Sequence, residues 1–169
     1  NAEGRYEYFD GQVFELSGGS PEHSLLTSRI GFLLNTKLLP KGCSVYSTDI
    51  KLKVPKVPTY RYADGSVLCG KPIYEEVSTE KLLANPSLIV EVLSPSTEKF
   101  DREGKFKEYK SIPSFTEYLL ISQDKRFVTL YTKYNEKFWF QSEYFGDETL
   151  KLESLDIELS VNEIYEGII

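Results

Sequence analysis

Ser87-Leu88-Ile89-Val90-Glu91-Val92-Leu93-Ser94 (SLIVEVLS) is apolar at every position but one between its two serines. So short and apolar a run, rich in β-branched residues, reads as a central strand covered on both faces. A strand covered twice needs packing layers above and below it, and the flanking sequence supplies them. Upstream, Ser20-Pro21 opens a helix, with Ser20 as N-cap and Pro21 at the first helical position. Its apolar face is Leu25, Leu26, Ile30, Leu33, Leu34 and Leu38, and Pro40-Lys41-Gly42 ends it. Downstream, Ser94-Pro95-Ser96-Thr97 forms a turn and cap leading into a second helix, from about Glu98 to Ile112.

Further out the pattern is that of strands. Tyr6–Phe9 and Gln12–Leu16 flank Asp10-Gly11, a strong two-residue hairpin signal. Strands are predicted at Ser44–Ser47, Ile50–Val54, Tyr60–Cys69, Thr116–Ser122, Arg126–Thr132, Lys137–Phe145 and Leu155–Leu159, before a short helical end at Val161–Gly167. Gly70–Pro86 reads as irregular, with at most a helical turn. The order predicts one domain over residues 1–169, of α+β (mixed α/β) class, built on one large sheet.

Composition agrees with a packed domain: 169 residues, 40% hydrophobic and 27% charged, can bury a real core. No apolar run approaches the roughly 18 residues of a membrane helix, and the polar first ten residues show no signal-peptide core. A cytoplasmic protein is expected. The chain lacks an initiator Met, so a leading segment is expected to be missing. Cys43 and Cys69 are expected to be buried thiols, although one disulfide is arithmetically possible. Two Cys and one His without close spacing do not make a zinc site. The net charge of −6 argues against promiscuous nucleic-acid binding. Its distribution is uneven: Lys37–Arg61 holds six basic residues against Asp49, and Glu143–Ile169 holds eight acids against Lys151.

Five positions carry chemistry. Glu91 stands inside an apolar strand, where a carboxylate is costly unless paired, protonated or bound to a cation. Asp64 interrupts Tyr60–Cys69, and alone Asp64-Gly65 is a turn. Paired with Glu91 on an adjacent strand, it offers oxygens to a hard cation. On the second helix Lys105 falls in the arc between Tyr109 and Ile112, while Glu103, Lys107 and Lys110 lie opposite. A lysine snorkelling along the helix edge fits the same wheel. His23, the single histidine, and Glu22 fall within the apolar arc of the first helix. In isolation such a histidine is a core or interface residue.

Helix one with Glu22 and His23, a strand with Asp64, the next strand with Glu91 and a following helix with Lys105 together resemble the PD-(D/E)XK nuclease superfamily. More closely, the chain resembles a bacterial family of restriction endonucleases within it. The resemblance rests on RYEYFDG (5–11), SPEH (20–23), YAD (62–64), SLIVEVLSPST (87–97), DREGKFKEY (101–109) and Glu117-Tyr118, and it spans nearly the whole chain. It implies a restriction-endonuclease-like fold, a central mixed sheet flanked by helices. Asp64 and Glu91 would then be the acids of the two half-motifs. The position two after the second acid, where the superfamily's lysine usually stands, is Leu93, which points to Lys105 on the next helix instead. Ala63 replaces the usual proline.

The implied chemistry is phosphodiester hydrolysis in DNA. Asp64, Glu91 and the Val92 carbonyl would hold Mg²⁺, or Mn²⁺. Lys105 would orient the nucleophile or neutralise developing charge. Glu22 or His23 would bind a second metal or position water, and Tyr109 would hydrogen-bond into the site or simply pack. The basic segment Lys37–Arg61 is expected to flank the site and contact DNA, and a homodimer to place two sites side by side. The alternative is a catalytically inactive homodimeric binding or assembly module on the same fold, favoured by the acidic charge and the displaced lysine. The intact Asp64, Glu91 and Lys105 set favours the enzyme.

Overall fold

A computed structural model describes residues 6–9, 12–15, 19–57 and 60–169. β1 (Tyr6–Phe9) and β2 (Gln12–Glu15) pair antiparallel. That is the hairpin expected on either side of Asp10-Gly11, although these two residues lie outside the described ones. Helix α1 (Pro21–Leu38) follows, capped by the Ser20 side chain, which accepts the His23 N–H at 3.1 Å.

The main sheet has six strands. They are β3 (Cys43–Tyr46), β6 (Gly65–Cys69), β9 (Leu88–Leu93), β10 (Glu117–Ser122), β11 (Phe127–Lys133) and β12 (Trp139–Phe145), in the order β12-β11-β10-β9-β6-β3. β9 is the predicted central strand and lies inside the sheet, parallel to β10 and antiparallel to β6, with all six residues buried. Its alternation sorts two cores. Leu88, Val90 and Val92 pack with Leu26, Ile30 and Leu34 of α1. Ile89 and Leu93 pack on the other face with Phe106, Tyr109, Phe115 and Tyr118. Each such side chain contributes roughly 1.5–3 kcal/mol by leaving water.

Several elements depart from the sequence reading. The predicted strand Tyr60–Cys69 is two strands in two sheets. β5 (Tyr60–Tyr62) belongs to a four-stranded sheet with β4 (Lys51–Lys53), β7 (Tyr74–Val77) and β8 (Glu80–Leu83), and β6 belongs to the main sheet. β7 and β8 replace the irregular stretch expected at Gly70–Pro86; their pairing, not their local composition, makes them strands. The chain ends in a hairpin of β13 (Thr149–Leu152) and β14 (Ile157–Ser160), then helix α3 (Val161–Tyr165). The predicted second helix is shorter and only half of it is α: Glu98 and Lys99 start it, Phe100–Lys105 is π-helical, and α2 covers Phe106–Tyr109. Leu25, assigned to the apolar face of α1, is 53% exposed.

Cys43 and Cys69 are not free thiols. They stand directly opposite each other in the β3–β6 ladder and form a disulfide. Their separation of 26 in sequence hid this register. Among the described residues no helix is long and apolar enough to cross a membrane.

Candidate active site

The site forms where β6 and β9 part. Their pairing runs from Val67 with Leu88 to Gly65 with Val90 and stops there. The next pair in register would be Asp64 with Glu91, but at Ala63-Asp64 the chain leaves for the second sheet. The Val92 N–H, left without a strand partner, donates to Asp64 Oδ2 at 2.7 Å. A side-chain carboxylate thus replaces the missing backbone acceptor. The charge of Asp64 acts on Glu91, so the two carboxylates lie near each other at the fork. The Val92 carbonyl points to the same strand edge as its N–H. The next carbonyl, of Leu93, points the other way and accepts the Gln123 N–H at 3.3 Å.

Glu91 is 3% exposed. Its Oε1 accepts from Tyr109 Oη at 2.9 Å and from Lys105 Nζ at 3.2 Å. Lys105 Nζ also donates to the Tyr62 carbonyl at 3.3 Å and lies 3.1 Å from Asp101 Oδ1. Asp101, Lys105 and Tyr109 are four residues apart. In an α-helix each four-residue step overshoots one turn, and in the wider i→i+5 turn it falls short. The π-helical segment therefore keeps all three side chains on one buried line. Gly104 permits it, because a Cβ there would lie 2.3 Å from the Phe100 ring.

Charge in this core is out of balance. Burial pushes the Glu91 carboxyl well above the usual carboxylate range; Lys105 pulls it down, and the charges of Asp101 and Asp64 push it up again. Burial, with the charge of Glu91, likewise raises Tyr118, whose hydroxyl donates to the Asp101 carbonyl at 3.0 Å. Asp101 Oδ1 is buried and makes no hydrogen bond, since its contact with Lys105 is close but poorly aligned. On the other side of the fork His23 Nε2 stands 3.3 Å from Asp64 Oδ2. The hydrogen bond to Asp64 raises the His23 pKa against the opposing effect of burial.

His23, Asp64, Glu91, Asp101 and Lys105 line a cleft of about 1520 Å³ between α1, the end of β3, the β6–β9 fork and the π-helical segment. The structure brings together Asp64, Glu91, Val92, Lys105, Tyr109 and His23, on five different elements. Glu22 is not among them: it is half-buried in the first turn of α1 and does not line the cleft.

Asp101 was missed as a site residue. Its four-residue spacing from Lys105 and Tyr109 was the available signal. The Arg61–Glu108 pair was also missed. Arg61 is 1% exposed and bonds both Glu108 oxygens, at 2.7 and 2.9 Å. Residues 45–49 of the Lys37–Arg61 segment line the cleft, but none of its six basic side chains does. Lys37 pairs with Glu163, Lys41 with Asp156, Lys51 with Glu80, Lys53 with Glu75 and Arg61 with Glu108, and none of the five lines the cleft. The lysines answer acids that are distant in sequence and close in the fold.

Two oxygen-rich carboxylates and one open strand edge suit a hard cation. Among the described residues no three His, Cys, Asp or Glu side chains group tightly enough to cage a metal by themselves. A cation at the fork would need water or a ligand to fill its remaining positions. The buried Asp101 oxygen makes no hydrogen bond, and the charges of Asp101 and Asp64 add to burial in raising the Glu91 pKa; a cation would offset that negative charge.

Comparison with known proteins identifies the family and the fold. The family Uma2, described as "Putative restriction endonuclease", matches residues 1–162. An uncharacterized protein of Synechocystis sp. (strain PCC 6803), slr1290, is 34% identical over 164 residues, covering 97% of this chain and 85% of that protein. A second, sll1609 of the same organism, is 32% identical over 158 residues, covering 94% and 85%. The crystal structure of a putative nuclease belonging to DUF820 from Anabaena variabilis superposes with a TM-score of 0.79 at 18% identity, covering 99% of this chain and 93% of that one. At that identity the likeness speaks for the fold.

Proposed function

Because the chain belongs to the Uma2 family of putative restriction endonucleases, we propose that it is a divalent-metal-dependent endonuclease that hydrolyses phosphodiester bonds in DNA. The observation that carries this reading is the fork itself. Asp64, one residue beyond the last β6–β9 pair, and Glu91 both line the cleft, and Lys105 lies against Glu91 at 3.2 Å.

Asp64, Glu91 and the Val92 carbonyl would hold Mg²⁺ or Mn²⁺. When bound, the metal would acidify a water and offset charge on the phosphate. The chain's own groups do the rest. His23 holds Asp64 in place while the Val92 N–H fixes one of its oxygens. Tyr109 orients the Glu91 carboxylate from below. Lys105 stands between Glu91 and Asp101, and with Glu91 engaged elsewhere its ammonium can turn toward a phosphate oxygen while Asp101 keeps it in the cleft. There it would neutralise charge that develops as the ester bond breaks.

The test is cleavage of supercoiled plasmid and of single-stranded DNA with Mg²⁺, Mn²⁺ or EDTA. Metal-dependent nicking or cutting, abolished by EDTA, supports the reading. No product with either metal on either substrate contradicts it.

A further inference from the structure

The chemistry of the cleft walls goes beyond that reading and rests on it. Among the described lining residues the charged side chains are His23 and Lys105 against Asp49, Asp64, Glu91 and Asp101. A duplex presents two phosphate backbones, and proteins that grip one make about 6–10 phosphate contacts with Lys and Arg. This cleft offers no such set. What it offers is neutral donors and rings. Ser24, Thr27, Ser28, Gly31 and Asn35 come from one face of α1. Ser94, Ser96 and Thr97 follow β9. The Phe32 ring lines the cleft yet is 66% exposed, with no core to cover it. The Tyr46 ring, at the end of β3, also lines the cleft, and its hydroxyl is fixed by that of Tyr74 at 2.9 Å. At Gly31 an added Cβ would meet nothing within 4 Å, so the wall beside Phe32 is open. At about 1520 Å³ the cleft also exceeds the roughly 300–1,000 Å³ of small-ligand pockets. It suits a chain rather than a mononucleotide.

We infer that the substrate of this site is an unpaired nucleic-acid strand, with bases stacked on Phe32 and Tyr46 and the backbone led past the hydroxyls to the Asp64–Glu91 fork. Stacking is sequence-tolerant and needs little positive charge. It accounts for a nucleic-acid enzyme of net charge −6. One strand needs one site, so cleavage would not depend on a second copy of the chain.

The experiment is fluorescence anisotropy in EDTA, with a short labelled DNA strand, the RNA strand of the same sequence and the corresponding DNA duplex. It is run with the wild type, Phe32→Ala and Phe32→Tyr. Metal-dependent cleavage of the same DNA is measured in parallel. A strand, DNA or RNA, should bind more tightly than the duplex, and the tighter of the two strands identifies the sugar. Binding should weaken with salt with a slope below about 2 in magnitude, corresponding to two or three phosphates at ~0.7 each. Phe32→Ala should weaken strand binding roughly five- to a hundredfold, and Phe32→Tyr should restore it. Phe32 is exposed, so the melting curve of Phe32→Ala should match the wild type. Duplex binding as tight as strand binding, or unchanged affinity in Phe32→Ala, overturns the inference. Duplex cleavage alongside that result would leave the nuclease reading standing. Tight, ring-dependent strand binding without cleavage would do the reverse.

Discussion

The Asp64 carboxylate accepts the Val92 N–H at 2.7 Å, one step beyond the last backbone pair between β6 and β9. One residue thereby closes the end of a sheet ladder and presents a carboxylate beside Glu91. Stability and site geometry are tied together at this bond.

Asp64→Ala leaves the N–H of buried Val92 unsatisfied and should cost about 1–3 kcal/mol. Asp64→Asn keeps an acceptor oxygen and should cost less. Both should lose cleavage, since neither supplies a charged ligand. Urea unfolding and plasmid cleavage on the same preparations check the separation.

Glu91 should be stabilising to remove isosterically and fatal to lose chemically. Burial raises its pKa well above the usual range. The folded chain therefore holds a proton that the unfolded chain releases. That contribution to stability is complete below the ordinary carboxylate pKa and is lost as pH rises through the folded value. In EDTA at neutral pH, Glu91→Gln should unfold at a higher temperature than wild type, by about 2–4 °C for each 1 kcal/mol gained. The gap should close toward acid pH. Thermal melts across pH test the sign.

Lys105 has two buried carboxylates to answer, Glu91 at 3.2 Å and Asp101 at 3.1 Å. Lys105→Met should cost about 3–5 kcal/mol, the usual consequence of stranding a buried charge. Adding Asp101→Asn should recover part of that loss. A double-mutant cycle by urea unfolding should therefore be non-additive. Additive costs would show that the two side chains are not coupled.

The Cys43–Cys69 disulfide closes a loop of 26 residues. The loop-entropy relation assigns such a bridge about 3.5 kcal/mol. Cys43→Ser with Cys69→Ser should lower stability by about that amount in urea titrations. Alkylation of the unreduced wild type under denaturing conditions should modify neither cysteine.

How much of this was legible in the sequence depends on range. The central strand was readable because Leu88–Leu93 is apolar on both faces, and α1 because Ser20-Pro21 marks its start. Glu91 announced itself by interrupting the apolar run. The split of Tyr60–Cys69 between two sheets was not readable, because only tertiary pairing separates Tyr62 from Gly65. The π-helical turn was hidden too, since an α-helical wheel already placed Lys105 inward. Asp101 was overlooked for the same reason. Lys37, Lys41, Lys51, Lys53 and Arg61 read as a basic face because their partners, Glu163, Asp156, Glu80, Glu75 and Glu108, lie elsewhere in the chain. The β3–β6 register that joins Cys43 to Cys69 left no local mark.

The proposed nuclease reading requires Asp64 and Glu91 to hold the metal. Its most direct test is single-turnover cleavage of plasmid and single-stranded DNA in Mn²⁺, with wild type beside Glu91→Ala, both shown to be folded by circular dichroism. The account predicts metal-dependent product with the wild type and at least a hundredfold (~2.7 kcal/mol) loss in the variant. Equal cleavage by the two proteins would contradict it.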